Sequence, residues 1–324
     1  MRPWLRYTFR KVHRISHRKS MRHMEKVWPQ LKMEETPNGA RRVFWRGKFI
    51  VETRPLAETK SWPQRSSKAL MITTGPSIKN EDLSNLGNSF VVGVNGAIAI
   101  QADYPVKFDA YFIIDASFIR NRLSLFERGI NNNTPCFLSY NCISQICEIN
   151  PDLLKSKEIY LVEAVNKRFN QPSLPPDKLY EWARSQESFI TSPEYSSTNE
   201  KVGFSFDPEV GVYDGATVAF WALQVLLYAG FPAVGILGMD LGNTGPVIRF
   251  YETQEGSLRS KLDKNYLTTI EPSFRLAAIA FEKKGREVYN LSSVSRLPHD
   301  IIRKMNLVDF INLDQSFASK MTRQ

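Results

Sequence analysis

None of the 324 residues belongs to a run of about 20 consecutive apolar side chains, the length a helix needs to cross a bilayer. The longest apolar stretch, Ala216 to Leu227, is interrupted by Gln224 and reads as a buried helix. The N-terminus carries charge without an apolar core, which argues against a secretory signal and for a cytoplasmic protein. Cysteine is scarce: Cys136, Cys142 and Cys147 are odd in number, lack C-x-x-C spacing and have no histidine nearby. That excludes a secreted disulfide framework and a zinc site, and leaves buried thiols in a reducing compartment. The four histidines, His13, His17, His23 and His299, lie away from every strand end, which argues against a Ser-His-Asp triad. There is no P-loop, no G-x-S-x-G, no H-E-x-x-H and no D-x-D pair. Internal repeats and low-complexity tracts are also absent.

What is present is an ordinary globular composition, 42% hydrophobic and 23% charged, with a net charge of +10. The charge is concentrated. Residues 1–26 hold nine lysines and arginines against the single acid Glu25, so the rest of the chain is nearly neutral. Within residues 1–30 the cations alternate with Trp4, Leu5, Tyr7, Phe9, Val12, Ile15 and Trp28. A basic stretch with aromatic insertions reads as a segment lying on an anionic membrane surface. Nucleic-acid binding is the second reading and an idle basic tail the third; the first carries the expectation that no nucleic acid is bound.

Residues 31–67 contain a hairpin-like run, Arg42 to Glu52, with turn signals at Asn38-Gly39 and Arg46-Gly47, followed by a linker at 61–67. The organised domain spans 68–310, with a C-terminal tail at 311–324. It holds seven apolar strand candidates, beginning near residues 69, 90, 110, 136, 158, 233 and 287. Helices are expected at 80–86, 117–127, 216–229 and 271–284. Continuous apolar strands alternating with helices predict an α/β fold, a Rossmann-like, mostly parallel sheet covered on both faces. Residues 166–210 are polar, rich in Pro and Ser and without clear periodicity; they read as a lid-like insertion.

Five short constellations fall at strand ends or helix starts. Thr73-Thr74-Gly75-Pro76-Ser77 follows the first strand, where Gly75 permits close backbone approach and a following helix start offers N–H groups to an anion. Asn95 follows the second strand. Asp115 follows the third, as a helix cap or a catalytic carboxylate. Asp214-Gly215-Ala216-Thr217 opens a helix, with Asp214 as its cap. Asp240 ends a further strand, followed by Arg249 and Tyr251, which can hold a phosphate or a sugar carboxylate. In an open parallel sheet such positions converge on one crevice.

The order and spacing of these motifs resemble glycosyltransferase family 42, the bacterial CMP-sialic acid transferases. They are closer to the lipopolysaccharide core proteins that add a third 3-deoxy-manno-octulosonate (Kdo). The matching stretches are Val94-Asn95-Gly96, Asp115, Thr217 to Phe220, Gly238-Met-Asp240-Leu, Arg249 to Glu252, Pro272 to Arg275 and Tyr289 to Ser292. The resemblance covers about residues 69–305 and omits the basic N-terminus. It implies a glycosyltransferase that moves Kdo, or a related 2-keto acid sugar, from a CMP-activated donor to the lipid-linked oligosaccharide of the lipopolysaccharide inner core. The enzyme would sit peripherally at the cytoplasmic face of the inner membrane. Thr74, Gly75, Pro76, Ser77, Asn95, Asp214, Gly215, Thr217 and Asp240 would bind the nucleotide, and Arg249 and Tyr251 the phosphate and sugar. No metal and no cofactor are expected, because a departing monophosphate needs less charge neutralisation than a diphosphate. The sialyltransferases use a histidine base before the last strand, where this chain reads Thr268-Thr-Ile-Glu271-Pro. The base is then Glu271 or, preferably, Asp115. A sialyltransferase-like enzyme on another envelope glycan, a pterin pyrophosphokinase-like enzyme and a non-catalytic envelope-binding protein are the alternatives.

Overall fold

The protein is described by a computed structural model over residues 3–242, 249–252 and 262–313. Residues 314–324 of the expected tail lie outside the described residues. All seven apolar runs form one sheet: β4 (Lys68–Ile72), β5 (Phe90–Val94), β6 (Ala110–Ile113), β7 (Cys136–Leu138), β8 (Ile159–Leu161), β11 (Ala233–Leu237) and β12 (Glu287–Asn290). Their order is β12-β11-β4-β5-β6-β7-β8, and every neighbouring pair is parallel. The strands are apolar along most of their length, Lys68, Glu287 and Asn290 at strand ends excepted, because both faces are covered. In β4, Ala69 and Met71 join one core layer and Leu70 and Ile72 the other. The first layer is covered by α7 (Val218–Ala229) and α9 (Glu271–Lys283). The second is covered by α2 (Ala116–Asn121), α3 (Leu123–Asn131), α4 (Tyr140–Ile149) and α10 (Leu307–Ile311).

Ahead of this sheet stand α1 (Pro3–Ser16) and a small antiparallel sheet, β1 (Leu31–Glu35), β2 (Arg41–Trp45) and β3 (Lys48–Glu52). The β2–β3 hairpin turns at Arg46-Gly47, both in the left-handed region, as the turn signal requires. Met24, Val27, Leu31, Val43 and Trp45 carry this segment into the second core layer. The basic N-terminus is therefore built into the protein. Its helix α1 buries His13 and leaves Trp4, Tyr7, Val12 and Ile15 exposed.

Three local expectations change. The linker at 61–67 is mostly the end of a 3-10 helix, Leu56–Gln64, whose Trp62 is 4% exposed and stacks on Phe90 at 4.8 Å between ring centroids. A 3-10 helix forms at Pro76–Asn80, and residues 81–86 are not helical. Asp82 accepts from the Ser84 N–H (2.9 Å) and Asn85 from the Gly87 N–H (2.9 Å), and such local bonds compete with helical ones. The insertion 166–210 is not without structure: it contains α5 (Pro176–Ala183), α6 (Pro193–Ser196) and the paired strands β9 (Phe189–Ile190) and β10 (Phe204–Ser205). Its Leu179, Val202 and Phe204 are buried in the first core layer.

The chain runs outward from β4 to β8, then returns to place β11 on the other side of β4. This is the point where strand order reverses, and beyond it the two strands stay joined. Thr73 N donates to Leu237 O at 2.9 Å and Gly75 N to Gly238 O at 2.8 Å. A Cβ on Gly75 would fall 2.2 Å from Gly238 O and 2.5 Å from an Asp240 carboxylate oxygen, so no other residue fits.

Trp62→Ala should lower stability by about 3–5 kcal/mol, the cost of deleting a buried aromatic, measured by urea denaturation. Gly75→Ala should cost about 1–3 kcal/mol through overpacking, seen as a lower melting temperature with the far-UV spectrum retained.

Candidate functional site

A crevice of about 740 Å³ opens at the carboxyl ends of the strands, across the β4–β11 reversal, where open parallel sheets bind ligands. Its floor is Thr73 to Pro76, Asn95, Ile114, Asp115, Ser139 and Gly238 to Gly242. At Gly75, Pro76 and Ser77 the turn after β4 offers no amide to an anion, although the sequence suggests that it would. Gly75 N is spent on Gly238, Pro76 has no N–H, and Ser77 N donates to Asp240 Oδ2 at 2.8 Å. Ser77 Oγ donates to Asp240 Oδ1 at 2.5 Å. Both residues are buried, so Ser77 holds the Asp240 carboxylate from behind while Asp240 lines the crevice.

Asn95 begins the 3-10 helix after β5 (Asn95–Ala102) with φ +46°, and its backbone carbonyl accepts from the Tyr111 hydroxyl. Its side-chain oxygen is buried and has no hydrogen-bond partner among the described residues, although the residue lines the crevice. A buried polar atom in that condition is one that a ligand can satisfy.

The opposite wall is the start of α7. Gly215 (φ +53°) and Ala216 (φ +58°) bend the chain, and the helix begins at Val218. Its cap is Thr217, which accepts from Phe220 N at 3.2 Å; Asp214 is not the cap but pairs with Lys201 at 2.9 Å. Lys201 and Lys167 reach the crevice from the insertion, each ion-paired, Lys167 with Glu200 at 2.6 Å. Arg249 lines the same space and is held by Glu252 at 3.1 Å. The Glu252 side chain, only 2% exposed, also accepts from Arg122 at 2.7 Å.

Asp115 ends β6 and caps α2. Its Oδ1 accepts from Ser117 N (2.8 Å) and its Oδ2 from Ser117 Oγ (2.5 Å). It is exposed and stands where the crevice meets a second, polar cavity, a wall of both.

Nine of the residues singled out in the sequence therefore share the crevice: Thr74, Gly75, Pro76, Asn95, Asp115, Asp214, Thr217, Asp240 and Arg249. Four do not line it. Ser77 and Gly215 act behind it. Tyr251 packs its ring on Gly96, where an added Cβ would fall 2.1 Å from the ring, and burial pushes its hydroxyl up to about 12. It faces a neighbouring groove with Arg122 and Arg128. Glu271 sits in the first turn of α9 and pairs with Arg275 at 3.0 Å.

Residues the sequence reading missed include Lys167 and Lys201, which carry no local motif, and Ser139, Tyr140 and Asn141 at the end of β7. The strand-end rule applied to β7 finds the last three. Glu163, just beyond β8, also lines the crevice, and burial raises its carboxyl above the usual range despite a bond from Phe169 N at 2.6 Å.

Comparison with known proteins agrees with this frame. The family model of the 3-deoxy-D-manno-octulosonic acid transferase WaaZ matches residues 56–308. A probable 3-deoxy-manno-octulosonic acid transferase of Salmonella typhimurium is 24% identical over 236 residues, covering 72% of this chain and 84% of its own. Its counterpart in Escherichia coli is 23% identical over 269 residues, covering 80% and 88%. Among solved structures, the MAf glycosyltransferase from Magnetospirillum magneticum aligns with a TM-score of 0.45 and 14% identity; 79% of this chain is covered but only 36% of that one. With the family match spanning most of the seven-stranded domain and its crevice, the chain belongs to the WaaZ family of 3-deoxy-D-manno-octulosonic acid transferases.

Proposed function

We propose that the crevice binds a CMP-activated Kdo, or a close 2-keto acid relative, and that the protein transfers the sugar to a hydroxyl of the lipopolysaccharide inner core. The observation that carries this reading is the position of Asp115, at the junction of a crevice large enough for a nucleotide sugar and a separate polar cavity. A base for glycosyl transfer must stand between donor and acceptor. Asp115 takes the proton from the acceptor hydroxyl as its oxygen bonds to the anomeric carbon. The bond from that carbon to the phosphate oxygen breaks, and CMP leaves with the electron pair.

Asn95 and Asp240 offer acceptor oxygens to the nucleotide's amino and hydroxyl groups. Arg249, Lys167 and Lys201 supply positive charge to the phosphate and to the sugar carboxylate. Leaving as a monophosphate, CMP needs less charge neutralisation than a diphosphate, and these cations are suited to supply it.

Attachment to an anionic membrane at the cytoplasmic side of the inner membrane fits the same reading. Among the described residues no helix is long and apolar enough to cross a membrane. Helix α1, however, exposes Trp4, Tyr7, Val12 and Ile15 beside Arg10, Lys11 and Arg14, the pattern of a helix that lies in the interface.

Asp115→Asn is a clean test, because asparagine caps a helix as well as aspartate. Transfer should fall by about 10²–10⁴-fold, the worth of a general base, while thermal stabilisation by CMP persists. Retained transfer would remove Asp115 from this role. Stabilisation should be seen with CMP and not with ATP–Mg²⁺, and transfer should continue in EDTA. For the membrane, co-sedimentation with vesicles containing anionic phospholipid, but not with purely zwitterionic ones, is the expected result.

A further inference from the structure

The second polar cavity, about 200 Å³, lies on the far side of Asp115 from the crevice and shares Ile114, Asp115, Ser117 and Asn141 with it. It is smaller than the ~300–1,000 Å³ of a pocket that encloses a whole drug-sized ligand, so it suits one residue of a longer chain. One wall is α2 and α4; the other is the N-terminal segment. Seven of its sixteen lining residues precede residue 56 and so fall outside the region matched by the family model.

The chemistry of the cavity is that of an anion-bearing sugar site. Trp28 presents an aromatic surface, fixed by edge contacts with His13 (5.6 Å) and His17 (5.4 Å). Arg10, Lys26 and Arg120 supply cations from both walls, and the carboxylates on the same lining are Glu25, Glu148 and Asp115, the proposed base. Lys26 forms no ion pair among the described residues, and Arg120 is oriented by a neutral group, Gln145 Oε1, at 2.9 Å. The nearby Glu25 does not cancel them, because Arg14 holds both of its oxygens, at 2.6 and 3.0 Å. A fork-shaped guanidinium and an ammonium beside an aromatic face recognise a phosphate or carboxylate carried on a saccharide.

We propose that this cavity is the acceptor subsite, that it takes an anionic sugar residue of the acceptor next to the hydroxyl to be glycosylated, and that the 1–55 segment sets which acceptor is used. The assignment rests on the donor occupying the crevice. Asp115 then faces both substrates, and the N-terminal segment adds a recognition wall to a transferase frame shared with the family.

The test is isothermal titration of the full chain with deacylated lipopolysaccharide core oligosaccharide, in native, dephosphorylated and carboxyl-reduced forms. The wild type should bind the native form. Lys26→Gln with Arg120→Gln should weaken binding by about tenfold or more, as expected for losing charge-assisted bonds, with CMP binding unchanged. Both side chains are exposed, so the variant should fold, and an unchanged melting temperature checks this. Loss of affinity on dephosphorylation assigns the anion as phosphate; loss on carboxyl reduction assigns it as carboxylate. Indifference to both treatments, no binding by the wild type, or equal binding by the variant would overturn the proposal. Binding of the oligosaccharide without transfer from CMP-Kdo would instead defeat the proposed donor and leave the subsite standing. Transfer with an unchanged acceptor KM in the variant would do the reverse.

Discussion

Where β4 and β11 separate, their backbones stay close enough that only hydrogen atoms fit between Gly75 and Gly238 O. The rest of the site depends on this contact. It makes the strand-order reversal a tight joint, and it sets Asp240 beside Ser77, whose backbone and hydroxyl both donate to the carboxylate. Hydrogen bonds to a buried charged group are worth about 1.5–3 kcal/mol each, so the joint locks the crevice floor. Phe250 N donates to Thr74 O at 3.1 Å, which ties the segment bearing Arg249 to the same turn.

Around that floor the charged groups are arranged in held pairs. Glu252 fixes Arg249 and Arg122, Asp214 fixes Lys201, and Glu200 fixes Lys167. A cation oriented by a partner loses less entropy when a phosphate arrives than a free one does. Asn95 is the contrasting case, a buried acceptor with no partner among the described residues. Together they describe a crevice with its positive charge already aimed and one acceptor left for a ligand.

The sheet was legible in the sequence because each strand is apolar on both faces, which leaves no competing period to mislead. Most of the floor was legible for the same reason, since residues that follow such strands must converge. The reading failed where tertiary contacts override local pattern. Trp62 lies in a Ser- and Pro-rich stretch that reads as a linker, yet it fills the core against Phe90. Residues 80–86 follow a strand and its turn, where a helix is expected, but Asp82 and Asn85 bond their own neighbours. Tyr251 is assigned to the phosphate and sugar by the resemblance, whereas Gly96, with no side chain, lets its ring pack there instead of lining the crevice. Lys167, Lys201 and Glu163 come from segments without periodicity, and only the fold brings them to the crevice. The N-terminal segment reads from its charge and aromatics as a membrane-surface segment, and only its buried apolar residues reveal that it is also a wall beside Asp115.

The proposed reaction adds an acidic sugar from a CMP donor to lipopolysaccharide core. Mass spectrometry of the core from cells with and without the gene addresses that claim most directly. The account predicts that the core from cells lacking it is lighter by one Kdo residue on a fraction of molecules, and that the mass returns with the wild-type gene. Identical core masses in the two strains, under conditions where the protein is expressed, would contradict it.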